Sequence, residues 1–158
     1  GFGERAGMTA YEEVVMMLEV MYGMKLNINF SKLYETSKMV QEILGITFPP
    51  TKPIVGDGLF TIESGIPVAW LKKLRVTGDM LELYPFHWDF VGQKDYKVVL
   101  GKMSGTPSVE NWLERLGIEA TEEQIMDILI RVKEKAINKK NLLNEEEFKE
   151  IVKIVLKK

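Results

Sequence analysis

Apolar residues recur at helical spacing near both ends of this chain, and the pattern breaks down between them. Thr9 followed three residues later by Glu12 reads as a capping box, after which Val14, Met17, Leu18 and Met21 fall on one face before Gly23. This predicts a first helix over Thr9 to Tyr22. Ser31 suits the start of a second helix, with Leu33, Val40, Ile43 and Leu44 on its apolar side and Gly45 as its stop. Between Gly45 and Gly58, Pro49, Pro50 and Pro53 remove backbone donors and hold their predecessors extended, which predicts a linker wrapped on a surface.

The stretch from Leu59 to Val91 is mixed, with a short helix predicted around Pro67 to Leu74 and then irregular chain carrying Tyr84, Phe86, Trp88 and Phe90. Lys97 to Leu100 reads as a short strand ending in the turn Gly101-Lys102-Met103-Ser104-Gly105, with a partner strand expected within 83–90. Three helices follow. Pro107 fits the first turn of a helix running to Gly117. Thr121 with Gln124 caps a long one to about Asn138, and Asn144 with Glu147 caps the last. Ile125, Leu129, Val132 and Ala136 then face Phe148, Ile151, Val152 and Val155. The fold class expected is mainly α: helical linker subdomains with a minor two-stranded β element and a C-terminal three-helix unit. Divisions are expected at 1–23, 24–92 and 93–158.

Composition narrows the function. The 158 residues, 46% apolar and 28% charged with a formal net charge of −2, suit a folded domain and give no basic surface for nucleic acid. No apolar run approaches the roughly 20 residues that cross a bilayer, so no membrane partner is expected. The absence of cysteine excludes thiolate chemistry and fits a cytoplasmic location, and His87 is the sole imidazole. Lysine-rich helices without cysteine also hint at a thermophilic source. Glu145, Glu146 and Glu147 at a helix start complement the helix dipole and are not read as a metal site.

Four stretches in order carry a resemblance: Gly1-Phe2-Gly3-Glu4-Arg5-Ala6-Gly7 with the helix behind it, Ile54-Val55-Gly56, Glu63-Ser64-Gly65-Ile66, and Val99-Leu100-Gly101-Lys102-Met103-Ser104-Gly105. Together they resemble the region from the eighth barrel strand onward in 2-isopropylmalate and homocitrate synthases, of the superfamily named for HMG-CoA lyase. The resemblance implies that an N-terminal (β/α)₈ barrel of about 250 residues is absent here. The chain would then hold the last barrel loop and helix followed by two linker subdomains. It also implies a divalent metal (Mg, Mn or Zn) held by barrel residues, with no cofactor in this chain. A homodimer whose linkers cross between subunits is implied too.

In the family, two histidines flank the Glu-Ser-Gly-Ile core and a third stands in the later glycine turn. Here those positions are Ile62, Pro67 and Met103, none of which transfers a proton. The resemblance therefore implies either a related reaction that does not require that histidine or recruitment of another imidazole for the condensation of acetyl-CoA with a 2-oxo acid. Tyr84 and His87 stand near the family's catalytic tyrosine, whose ungapped equivalent is Leu83, and form either a replacement catalytic pair or packed residues at a core edge. Gly3, Glu4, Arg5 and Gly7 belong to a loop whose amides at a helix start would meet an anionic substrate, or else to a frayed end, with Glu4 and Arg5 paired to shape it. Glu63 and Ser64 are candidate substrate contacts, Glu63 meeting a cation or hydroxyl or else capping the next helix.

These readings expect the C-terminal linker and subunit-contact region of a metal-dependent enzyme that forms or cleaves carbon–carbon bonds in 2-oxo acids. Alone it would be inactive, and its partners would be its own barrel and a second copy. The alternatives are a non-catalytic dimerisation or regulatory module, or a truncated remnant. The leucine-sensing domain of some isopropylmalate synthases is expected to be missing, and leucine feedback with it.

Overall fold

The structure, a computed structural model, describes residues 1–157. The chain divides into two compact units interleaved in sequence: residues 1–60 with 86–95, and residues 61–85 with 96–158. The mainly helical class with one small sheet is as the sequence pattern predicts.

In the first unit, α1 (Tyr11–Met16) is shorter than the pattern predicts and passes directly into a π-helical turn, Met17–Met21. The expected Thr9–Glu12 capping box does not form. Ala10 is the N-cap, without a side-chain bond, and Glu12 is drawn into an ion pair instead. The buried face shifts accordingly, with Val15 and Met16 inside and Met21 78% exposed. Ser31 does not cap α2 (Leu33–Leu44) either: its hydroxyl donates to Asn29 Oδ1 at 2.7 Å, and a 3₁₀ turn, Phe30–Lys32, leads into the helix. Gly45 ends it with φ 64°, the left-handed conformation that the sequence assigned to a glycine stop.

The proline connector is more than a surface wrap. Successive turns, including Gly56 N–H to Lys52 O and Gly58 N–H to Pro50 O, both 2.9 Å, fold it tightly enough to bury Val55. Charges fasten it at two points. The Lys52 ammonium donates to Glu12 at 2.9 Å and to Glu13, while Asp57 accepts from Tyr34 and Lys38 of α2, each at 2.7 Å. Aromatic contacts complete the unit: Phe30 stacks on Phe90 at 5.0 Å, and Phe60 meets Phe86 edge-on at 6.0 Å.

The second unit holds the larger core. Its sheet pairs β1 (Thr61–Ile62) with β2 (Lys97–Val98) in parallel, Thr61 opposite Lys97 and Ile62 opposite Val98. The partner expected within 83–90 is therefore corrected to 61–62. A parallel pair needs a long crossover, and α3 (Gly65–Thr77) supplies it, extending beyond the predicted span at both ends. Next come α4 (Thr106–Leu116), α5 (Glu122–Lys139) and α6 (Glu145–Leu156), which start and stop where the sequence signals place them. Both capping boxes of α5 and α6 form, each with reciprocal side-chain and backbone bonds. Leu129, Val132 and Ala136 of α5 are buried together with Phe148, Ile151, Val152 and Val155 of α6, joined by Ile128. Trp112 of α4 meets Phe148 at 5.3 Å and donates its indole N–H to Val98 O at 2.8 Å, linking helix core to sheet. Among the described residues no helix is long and apolar enough to cross a membrane.

The Lys52 cluster gives the first unit a measurable acid response. Burial raises the Glu12 pKa, but the Lys52 hydrogen bond, a backbone bond and the ammonium's charge outweigh it, so the net value is lowered. A lowered folded pKa means stability present above the ordinary glutamate range, about 4.3, and lost as pH falls through the folded value. Lys52 shows the converse: burial lowers its pKa, the Glu13 and Glu12 contacts more than restore it, and its contribution is lost only in strong alkali. Replacing Lys52 by Met is expected to lower unfolding free energy by about 1 kcal/mol at pH 7. In urea titrations that difference should shrink as pH falls from 5 to 3. An equal deficit at both ends of the range would disprove the role given to the cluster.

Candidate functional site

The two motifs that stand furthest apart in the second unit's sequence, Glu63-Ser64-Gly65-Ile66 and Gly101 to Gly105, form one site. Parallel pairing places the ends of β1 and β2 side by side, and Val99 N–H continues the ladder to Ile62 O at 2.9 Å. Each strand then turns into its helix at the same place. A Cβ added at Gly65 would lie 2.8 Å from the Gly105 Cα, so the backbones cross in contact. Only glycine allows this approach.

Side chains hold the crossing. Glu63 Oε1 accepts the Met103 N–H at 2.7 Å, reaching across from one motif to the other. Ser108 Oγ, fully buried, donates to Glu63 O at 3.1 Å. Ser104 Oγ, also buried, accepts the Gly101 N–H at 2.9 Å and closes the turn on itself. Glu63 thus neither caps α3 nor stands free. Ser64 is the α3 N-cap by position and makes no side-chain cap bond.

The three positions at which the resemblance expects imidazoles, 62, 67 and 103, have distinct surroundings. Ile62 is a core residue, 8% exposed, and a charged ring there would lose its solvation. Pro67 lies in the first turn of α3, where a missing N–H costs nothing. Met103 projects from the locked turn, 59% exposed.

The remaining candidates are not gathered here. Tyr84 belongs to the second unit and packs against its core, whereas His87 belongs to the first unit, its ring 4.9 Å from that of Trp88 and its Nδ1 3.8 Å from Asp89. Gly1 to Gly7 is an exposed, bent segment in which Gly3 rests on the Met8 side chain and Gly7 has φ 82°. The expected Glu4–Arg5 pair does not form, and both side chains are exposed. Gly1 and Phe2, with Tyr11, Leu33, Val40 and Phe48, line an apolar recess of about 330 Å³ in the first unit. Among the described residues no three histidine, aspartate or glutamate side chains converge as a metal ion requires.

Sequence reasoning missed the ionic fastening at Lys52 and Asp57, since nothing in spacing joins a proline connector to helices before it. It also missed Lys140, which holds φ 54° at the end of α5. A helix ending without glycine before Asn141 was the available signal.

Residues 54–140, more than half of the chain, match the family described as homocitrate synthase post-HMGL domain-like. The chain is 46% identical over 134 residues to a putative (R)-citramalate synthase CimA of Archaeoglobus fulgidus, covering 85% of this chain and 26% of that protein. It is 40% identical over its whole length to homocitrate synthase AksA of Methanocaldococcus jannaschii, where it covers 37%. A probable 2-isopropylmalate synthase of Methanopyrus kandleri is 40% identical over 134 residues, with 85% and 26% covered. The chain therefore spans about a quarter to two-fifths of these relatives.

The crossing is expected to be intolerant of a side chain. Gly65→Ala should destabilise the chain by about 1–3 kcal/mol through overpacking. Glu63→Ala should speed hydrogen exchange of the Met103 amide while Glu63→Gln, which keeps an acceptor, should not. Unchanged exchange in Glu63→Ala would remove the carboxylate from this role.

Proposed function

This chain belongs to the homocitrate synthase post-HMGL domain-like family, and we propose that it is the C-terminal linker and subunit-contact region of an enzyme that forms or cleaves carbon–carbon bonds in 2-oxo acids. The reaction class is that of isopropylmalate, homocitrate and citramalate synthases, the names its relatives carry. The catalytic divalent metal (Mg, Mn or Zn) and the condensation machinery would lie on a barrel outside these residues. By itself the chain is inactive.

The observation that carries this reading is the glycine crossing. The Glu63 and Gly101–Gly105 motifs, which mark the resemblance, are the ones that pack backbone to backbone in the second unit. A rigid element of this kind presents its exposed positions, Ile66 and Met103, with little freedom in the backbone beneath them. Such an element suits docking against a neighbouring active site. Without imidazole at 62, 67 or 103, its contribution is shape and burial, and acid–base work falls to other groups.

Assay of the longer protein with acetyl-CoA against a panel of 2-oxo acids tests the reaction class, with no turnover of any member counting against it. If the lost imidazole limits the rate, condensation is slowed about 10²–10⁴-fold. Pro67→His should then raise it at least about tenfold, since the first turn of α3 tolerates the change. If His87 is the substitute, His87→Ala should abolish activity. Brisk wild-type condensation that survives His87→Ala would refute both versions.

A second reading, a dimerisation or regulatory module without chemistry, is favoured by the exposed Met17, Val20, Met21 and Tyr22 of the first unit, 40–78% exposed. Both readings expect self-association. Sedimentation at tens of micromolar should show a dimer, and a species that remains monomeric would argue against subunit contact through this region.

A further inference from the structure

Ile54, inside the proline connector of the first unit, holds φ 65°. A β-branched side chain rarely accepts that conformation. Val55 N–H donates to Pro53 O at 2.7 Å, so Ile54 is the middle residue of a three-residue turn, and its positive φ marks the rarer and more strained form of that turn. The neighbouring backbone gives no relief. Gly56 is enclosed, since an added Cβ would lie 2.4 Å from both Lys52 O and Pro50 O.

Strain of this kind persists where the surroundings impose it. Three fastenings impose it here. Lys52 is paired with Glu12 and Glu13, and Asp57 with Tyr34 and Lys38, which fixes both ends of the strained segment. In the middle, Gln93 Nε2 donates to Ile54 O at 2.9 Å and to Gly56 O at 3.3 Å, bridging the carbonyls on either side of Val55. Gln93 is itself held, its N–H donating to Trp88 O at 2.8 Å.

The segment also walls a cavity. Val55, 2% exposed, lines the apolar recess of about 330 Å³ together with Phe48 of the same connector and Leu33 and Val40 of α2. We propose that residues 52–57 are a latched wall of this recess: the Gln93 side-chain amide is the positioning group that holds it shut, and the strain at Ile54 drives it open when that amide lets go. Opening swings Val55 outward while α2 keeps its place, and it adds the apolar surface beneath Val55 to the recess. This goes beyond the reading above and does not rest on it.

Amide hydrogen exchange of the 158-residue chain, followed by NMR, tests the latch. Gln93→Met, which keeps the side-chain length and removes the donor, should speed exchange of the Val55, Gly56 and Gly58 amides about tenfold or more while amides within α2, such as that of Val40, stay unchanged. Ile54→Gly relieves the strain and should slow the same amides about tenfold. The double variant Gln93→Met/Ile54→Gly should return them to within about threefold of wild type, an outcome that a hydrogen bond acting without strain does not give. With anilinonaphthalene sulfonate as the probe of exposed apolar surface, fluorescence should rise in Gln93→Met and fall back in the double variant. Unchanged or faster exchange in Ile54→Gly, unchanged exchange or dye fluorescence in Gln93→Met, equal loss of protection throughout α2, or no recovery in the double variant would each overturn the proposal.

Discussion

Two helices of the second unit begin at one point in space, and only the backbone contact of Gly65 with Gly105 lets them do so. A single methyl at either position would meet main chain, not a yielding side chain. Around that contact the polar groups are satisfied locally: a carboxylate takes one turn amide, and two buried hydroxyls take a carbonyl and another amide. Hydrogen bonds to a charged acceptor contribute about 1.5–3 kcal/mol each, which offsets the ordering of the turn. The two-residue strands are too short to specify a sheet alone. They hold because the crossing fixes the ends where both strands leave the sheet and Trp112 ties β2 to the helix core.

The two units are stabilised differently. The second buries a continuous set of aliphatic side chains from α3 to α6 around Phe148, which is fully enclosed. The first has fewer buried aliphatics and relies on ring contacts and on two ionic fastenings of its connector. Gly92 shows how closely that unit is closed. With φ 76° it lies against the Ser31 carbonyl, a conformation and a proximity that exclude a Cβ. Its apolar Met17 to Tyr22 surface is left outward by the π-helical turn, which rotates the helix face relative to a regular α-helix.

This division bears on function. Ile62, Pro67 and Met103 are all placed by the second unit, one in the core, one in a helix turn and one on an exposed turn. Each residue suits its place: isoleucine fills a core site, proline fits a first helical turn, and methionine stands exposed on the turn.

Sequence alone determined the last three helices, the stops at Gly45 and Gly117, the mainly helical class and the family. The helices and their stops depend on local chemistry, since reciprocal capping bonds, a left-handed glycine and apolar spacing are all readable within a few residues, while the family came from the resemblance of four short motifs. It failed at Thr9, where a local capping signal lost its glutamate to Lys52, 40 positions along the chain. It failed again at β2, whose partner was sought nearby and lies across a helical crossover. It read Glu63 as a possible cap of α3, when Oε1 instead accepts an amide in a distant turn. Only tertiary structure could settle these points, because each depends on which remote backbone donor or charge comes within about 3 Å, a distance that no local pattern encodes.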